Sequence, residues 1–154
     1  MDRRQQMTAE IGARTGIDEP MIERLVRNFY AKVRADALLG PVFEARIHDW
    51  EPHLQRMCRF WSSVALMSGR YHGNPMSMHL SLPVDAAHFD RWLSLFEDTA
   101  RETCPSEAAA LFVERARRIA ESLELGIAGR HGVLLGKGER FHQPNLAEQK
   151  GEIR

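Results

Sequence analysis

Apolar residues recur at helical spacing in four long stretches of the chain. In the first stretch they begin at Met21 and follow at i+1, i+4, i+5, i+8, i+9 and i+12, which places them on one side of an α-helix. Asp18 is a typical N-cap residue, and Pro20 suits the first helical turn because its missing N–H would be unpaired there anyway. The pattern predicts an amphipathic helix over 19–35, with Tyr30 on its buried stripe.

Three more amphipathic helices are predicted, over 50–68, 86–103 and 106–128. Asp49 and Asp85 precede the first two of these and are suited to cap them. Ser68-Gly69 predicts the end of the 50–68 helix. No stretch shows the apolar–polar alternation of a half-buried strand. The sequence therefore predicts an all-α protein with about four main helices joined by short links.

The chain of 154 residues is long enough for one domain with a sizeable core. We expect this domain to span 18–130. Residues 1–17 carry only a weak helical pattern and predict a short helix or an arm. Residues 131–154 are polar, contain Gly and Pro and show no sustained periodicity, so they predict a tail.

Charge and composition narrow the range of partners. Lys+Arg and Asp+Glu both number 21, which argues against nucleic acid or an acidic membrane surface as the main partner. No apolar run approaches the roughly 20 residues that a membrane-spanning helix needs. The first ten residues lack an apolar secretory core, so we expect a cytoplasmic protein. Cys58 and Cys104 are then most simply free thiols.

The stretch 71–83 combines turn chemistry with a histidine. Gly73-Asn74-Pro75 favours a turn, and Pro75 can begin a short helix with His79 about one turn further on. Pro83 then ends any helix. Such a bracketed element can hold an imidazole against a large, flat, apolar group, or His79 can be an ordinary buried histidine.

Four kinds of metal site can be compared. Zinc ligands would have to come from His72, His79, His88 and Cys104, whose spacing matches no zinc pattern. The nearest approach to the Glu-x-x-His motif of a di-iron bundle is Glu51-Pro52-His53, which has the wrong spacing. The CxxCH motif of covalently attached haem is absent from the sequence.

A non-covalent haem needs one axial histidine, a broad apolar slot and polar groups on the opposite face. His79 can supply the axial ligand. The other residues compatible with such a site are Phe43, Met57, Trp61, Met76 and Met78 as walls, and Tyr30, His53 and Trp92 as polar groups. Nucleophilic catalysis lacks support, because Ser62-Ser63 and the cysteines have no local activating signature.

Many separated motifs occur together in an order that resembles the group III truncated haemoglobins. They run from about Met21 to Gly129, and their joint occurrence makes the resemblance specific where any single motif would be weak. The matching positions are Phe29-Tyr30, Val33-Arg34, Asp36, Leu39-Gly40-Pro41-Val42-Phe43, Trp50, His53, Phe60-Trp61, Tyr71, Gly73, Pro75, His79-Leu80, Leu82-Pro83, Phe89, Trp92-Leu93 and Leu95-Phe96. Residues 131–154 depart from the short family pattern.

The resemblance implies a truncated globin fold, a two-over-two helical sandwich around one haem b. By matching position, His79 is then the proximal iron ligand. Its other ring N–H should be held by a backbone carbonyl about one turn back, near Pro75 or Met76. Tyr30 and Trp92 match the distal tyrosine and tryptophan. His53 matches a distal histidine that can act as a gate in this family. The other expected haem contacts are Phe43, Met57, Trp61, Tyr71 and Met76.

For function, the resemblance implies reversible binding of O₂, NO or CO at a five-coordinate haem iron. The neutral donors Tyr30 and Trp92 predict slow O₂ release, since each hydrogen bond contributes ~1 kcal/mol or more. Oxygen transport, NO dioxygenation and a peroxidase-like activity remain open, and an enzyme would need an external reductase. The contrary interpretation is a haem-free helical interaction module. Partners for the haem propionates are expected among residues at the rim of the site, by position only: Arg46, Arg70, Tyr71, His72 and Arg91.

Overall fold

The structure, a computed structural model, describes residues 2–143, and within that range it contains seven α-helices and no strand. The helices are α1 (Arg3–Thr15), α2 (Glu19–Ala35), α3 (Leu39–Arg46), α4 (Trp50–Leu66), α5 (Pro75–His79), α6 (Ala86–Thr103) and α7 (Ser106–Arg130). The all-α prediction is confirmed. The helices predicted over 19–35 and 86–103 coincide with α2 and α6.

The helix ends follow the capping chemistry in most places. The Asp18 carboxylate accepts a hydrogen bond from the Met21 N–H at 2.9 Å, and Asp85 forms a capping box with His88 at the start of α6. Asp49 occupies the N-cap position of α4, but its side chain makes no capping hydrogen bond. That part of the prediction was wrong.

Two helices end elsewhere than predicted. Helix α4 stops at Leu66, two residues early, because Met67 takes a left-handed conformation with φ +56°. Helix α7 runs two residues beyond the predicted position 128, to Arg130, and turns at Gly132, whose φ is +76°. Glycine adopts such a positive φ at little cost, so Gly132 ends α7 where the earlier glycines do not.

Helix α2 lies at the centre of the fold. It packs against α4 and α6, while α7 packs against α6 and α1 covers α4. The pair α2–α4 therefore lies over the pair α6–α7, the expected two-over-two arrangement. The apolar stripe of α2 is buried as predicted, and consists of Met21, Ile22, Leu25, Val26, Phe29, Tyr30 and Val33.

Residues 131–143, here called the C-terminal segment, fold back onto α6 and α7. Phe141 is only 2% exposed and joins a second apolar cluster with Val84, Phe89, Ala120 and Ile127. This part of the predicted polar tail is thus packed against the domain, while 144–154 lie outside the described residues. The domain boundaries at 17 and 130 stay predictions.

None of the helices that the structure describes has an apolar stretch long enough to cross a bilayer.

Candidate functional site

A cavity of about 510 Å³ lies between the helix pairs, within the size range of small-molecule and cofactor sites. Its walls come from α2, α3, α4, α5, α6 and α7 and from the connections around α5. Of the residues that the sequence predicts for the site, the cavity brings together eight: Tyr30, Phe43, His53, Met57, Trp61, Tyr71, His79 and Trp92. Met78, named as a possible wall residue, also borders the cavity.

Helix α5 positions His79 on one wall of the cavity. Asn74 caps this five-residue helix, since its side-chain oxygen accepts a hydrogen bond from the Ser77 N–H at 3.3 Å. The Nδ1 atom of His79 lies 2.5 Å from the carbonyl oxygen of Pro75. A carbonyl oxygen only accepts, so Nδ1 carries the proton and Nε2 keeps a free lone pair. His79 can thus act as a neutral metal ligand, held by a carbonyl one turn back.

Met76 is the predicted site residue that the cavity does not include. Its side chain packs against Gly126 of α7 together with Leu80, and a Cβ at Gly126 would collide with the Met76 sulfur. Gly126 therefore allows α5 to approach α7 closely. Such a short helix must use part of its surface for docking, and Met76 serves that purpose.

Tyr30 borders the cavity from α2. Its ring lies 5.9 Å from that of Phe43, 5.9 Å from that of Trp50 and 5.2 Å from that of His53, measured between centroids, with edge-to-face or tilted geometry. Burial raises the pKa of the Tyr30 hydroxyl above its usual value of 10. The hydroxyl therefore keeps its proton at neutral pH and is a hydrogen-bond donor at this wall.

His53 carries an unsatisfied polar atom beside the same cavity. Its Nε2 is buried and has no hydrogen-bond partner among residues 2–143. Burial lowers the pKa of His53 to about 4, with smaller contributions from Arg56 and His79. His53 is thus neutral at physiological pH. A buried polar atom without a partner is costly, so this atom points to a group that the described chain does not supply.

Trp92 is held in place by an aromatic stack. It packs edge-to-face on Phe29 with ring centroids 5.4 Å apart and stacks on Phe96 at 5.5 Å with an interplanar angle of 12°. Phe96 in turn stacks on Trp61 at 4.8 Å. These rings fix the indole of Trp92, which borders the cavity and carries an N–H that can only donate.

The rim of the cavity carries cations, though not all those that were expected. Arg46 borders the cavity and donates hydrogen bonds to the Oγ and carbonyl oxygen of Ser81 at 3.1 and 3.0 Å. Arg70 pairs with Glu19 and Arg91 with Asp36, and neither belongs to the cavity lining.

Other lining residues were missed by sequence reasoning. These are Arg56, His48 and His88, which border the cavity. His72, which was expected at the rim, does not border it. Arg56 had a signal in its spacing, three residues after His53 on the same helix, which places both on neighbouring positions of one face. His88 was named only as a possible zinc ligand. It completes the capping box of α6 and also borders the cavity, and its sequence position gives no sign of the second contact.

Comparisons with known proteins agree with this architecture. The family model described as bacterial-like globin matches residues 13–123. The chain is 34% identical over 113 residues to the group 3 truncated hemoglobin ctb of Campylobacter jejuni, covering 70% of this chain and 89% of that protein. A group 2 truncated hemoglobin of Bacillus subtilis, YjbI, is 27% identical over 84 residues, which are 53% of this chain and 64% of that protein.

A solved structure matches as well. The crystal structure of a group III truncated hemoglobin from Campylobacter jejuni superposes with a TM-score of 0.67 at 30% identity, covering 80% of this chain and 96% of that one. The fold, the family match and this identity agree with one another and with the order of the sequence motifs. The chain belongs to the bacterial-like globin family and, within it, to the group III truncated haemoglobins.

Proposed function

We propose that this chain binds one haem b in the cavity and, at its iron, reversibly binds O₂, NO and CO. Membership of the globin family implies a haem cofactor. The observation that carries the proposal for this chain is His79, whose Nδ1 is held by the Pro75 carbonyl so that Nε2 is available as the single protein ligand to iron.

Two further features fit a haem. The cavity of about 510 Å³ has mainly apolar walls, as a large planar macrocycle requires. His53 Nε2, beside the cavity, is a buried polar atom without a hydrogen-bond partner among residues 2–143. When bound, haem supplies an iron whose remaining coordination position accepts a diatomic molecule.

Two neutral donors would act on a ligand in this space. The Tyr30 hydroxyl and the Trp92 indole N–H both belong to the cavity wall, and burial keeps the Tyr30 hydroxyl protonated. Each hydrogen bond contributes on the order of 1 kcal/mol, and each 1.4 kcal/mol slows release about tenfold. Two such donors would slow O₂ release. We expect His53 to act on ligand entry, because two donors are already available to the bound ligand.

The edge of the haem would meet the polar rim. Arg46, Arg56 and Tyr71 border the cavity and can partner the propionates. Because such rim contacts are hydrated and screened by salt, each contributes little by itself, and we expect no single one to be essential.

The proposal is tested by adding haemin to the purified protein and recording absorption spectra of the ferric, ferrous and ferrous carbon monoxide forms. Wild type should give one haem per chain, and His79→Ala should lose haem or bind it only when imidazole is supplied. An unchanged ferrous spectrum in His79→Ala would show that a residue other than His79 is the iron ligand. If wild type takes up no haem, a haem-free helical interaction module becomes the better interpretation.

A protein that releases O₂ slowly is suited to holding it for reaction with NO. Conversion of NO and O₂ to nitrate consumes one electron, so we propose NO dioxygenation with an external reductase as the second candidate, favoured by the two donors beside the cavity. The O₂ form is mixed with NO, and nitrate and re-reduction by added reductant are measured. One turnover without re-reduction would favour O₂ or NO binding over enzymatic use.

A further inference from the structure

The C-terminal segment is tied to the domain by specific polar contacts. The Arg140 guanidinium donates to both carboxylate oxygens of Glu124 at 3.0–3.1 Å and pairs with Asp90 at 2.7 Å. The Phe141 N–H donates to Glu124 Oε2 at 2.7 Å. Charge-assisted and bidentate bonds of this kind are strong and directional. These contacts tie the segment to Glu124 on α7 and Asp90 on α6.

Glu124 explains why the segment belongs to the fold. It lies four residues after Ala120 and three before Ile127, on the buried stripe of α7, and it is only 5% exposed. A buried carboxylate is costly without partners. Its hydrogen-bond partners among residues 2–143 come from Arg140 and Phe141. The C-terminal segment thus supplies the hydrogen-bond donors that the buried Glu124 carboxylate on α7 requires.

The same segment fastens the start of α6. The Ala86 N–H donates to the Phe141 carbonyl oxygen at 2.7 Å, and the Gln143 N–H donates to the Asp85 carboxylate at 3.1 Å. Arg140 also donates to the Ala86 carbonyl oxygen at 3.3 Å. The first turn of a helix has unpaired N–H groups, and this turn takes one of its partners from the C-terminal segment.

This end of α6 forms part of the cavity wall next to His79. Val84, His88 and Phe89 border the cavity, and Val84 and Phe89 also share an apolar cluster with the buried ring of Phe141. Only five residues, 80–84, separate His79 from Asp85. The C-terminal segment thus packs behind the part of the cavity wall that residues 84–89 form, close to His79 in sequence.

We propose that the C-terminal segment is a positioning element that holds the 84–89 wall in place and thereby retains haem in the cavity. The inference rests on the proposed haem binding. The match to the family model ends at residue 123, so the segment lies outside the part of the chain that the family model describes.

The test compares haem retention in five variants of the whole chain, each loaded with ferric haem. Phe141→Ala removes the buried ring, and Leu134→Ala is its matched control, because Leu134 lies in the same segment and is 92% exposed. Arg140→Gln removes the guanidinium but keeps the Phe141 ring and backbone, and Lys137→Gln is its control at an exposed position. Arg140→Gln keeps the test valid if Phe141→Ala fails to fold.

The measurement is the rate of haem transfer to an excess of apomyoglobin. We expect Phe141→Ala to lose haem at least about tenfold faster, equivalent to 1.4 kcal/mol, and Arg140→Gln to change in the same direction. Both controls should match wild type. Amide hydrogen exchange in the loaded protein should accelerate over 84–89 in the two test variants.

Thr8→Ala tests whether faster haem loss comes from a general loss of stability and not from loss of the contacts that hold the 84–89 wall. Thr8 donates a hydrogen bond to the Leu66 carbonyl oxygen at 2.6 Å, where α1 meets the end of α4. The variants are compared at temperatures equally far below their melting temperatures. Equal haem loss in Thr8→Ala and Phe141→Ala, or wild-type rates in both test variants, would overturn the inference. Failure of wild type to take up haem would instead overturn the proposed function.

Discussion

Removing the Tyr30 hydroxyl is the sharpest probe of the cavity. The ring of Tyr30 is packed among Phe29, Phe43, Trp50 and His53 with centroid distances of 5.0–5.9 Å, and phenylalanine keeps all of these contacts. Tyr30→Phe therefore removes one donor and leaves the shape of the wall unchanged. Trp92→Phe is the corresponding change on α6, where the stack with Phe96 can be kept in part.

One lost hydrogen bond to a partly charged ligand costs about 1–1.5 kcal/mol, so each single variant should release O₂ roughly tenfold faster. Carbon monoxide carries less negative charge when bound and should respond less. If both donors act on the same ligand, the double variant should not show the sum of the two single effects, because the remaining donor readjusts when the other is lost.

The assay is stopped-flow dissociation of O₂ and CO from wild type, the two single variants and the double variant. Equal acceleration of O₂ and CO would mean that Tyr30 and Trp92 act through shape alone, and the electrostatic reasoning would be wrong.

Three further predictions concern groups around the same cavity. Burial lowers the pKa of His53 to about 4, so below about pH 6.5 protons bind preferentially to the unfolded chain. The free energy of unfolding of the haem-free protein should therefore fall as the pH is lowered from about 6.5 to 4. Chemical denaturation of His53→Leu should show a flatter profile over this pH range. In the haem-loaded protein, His53→Leu should change the O₂ association rate more than the dissociation rate, and flash photolysis showing the reverse would contradict a role in entry. Arg46→Ala and Arg56→Ala should each retain haem in a spectroscopic titration, and complete loss in either would refute the view that rim contacts are individually weak.

The long helices could be predicted from the sequence because each carries a regular apolar stripe. Helices α2 and α6 also have an aspartate at the N-cap that bonds to the backbone, so their first residues were predicted correctly. The end of α4 was missed because it depends on the left-handed conformation of Met67, a residue that rarely adopts it.

Site residues could be predicted where their placement depends only on the helix to which they belong. His79 and its carbonyl partner belong to the same short turn, and Tyr30 lies on a clear stripe. Met76 could not be placed, because its direction depends on how α5 docks on Gly126. The role of Phe141 was equally hidden, since one aromatic residue in a polar stretch has no periodic neighbours, and only tertiary contacts bury it.

The pairing of the start of α6 with the C-terminal segment also has a consequence for biosynthesis. Asp85 and its partner Gln143 are 58 positions apart in the sequence. The Ala86 N–H likewise donates to the carbonyl oxygen of the distant Phe141. Contacts this distant in sequence form late, and chains fold from the N-terminus as they are synthesised. The part of the cavity wall formed by residues 84–89 therefore gains these contacts only after translation has passed residue 143.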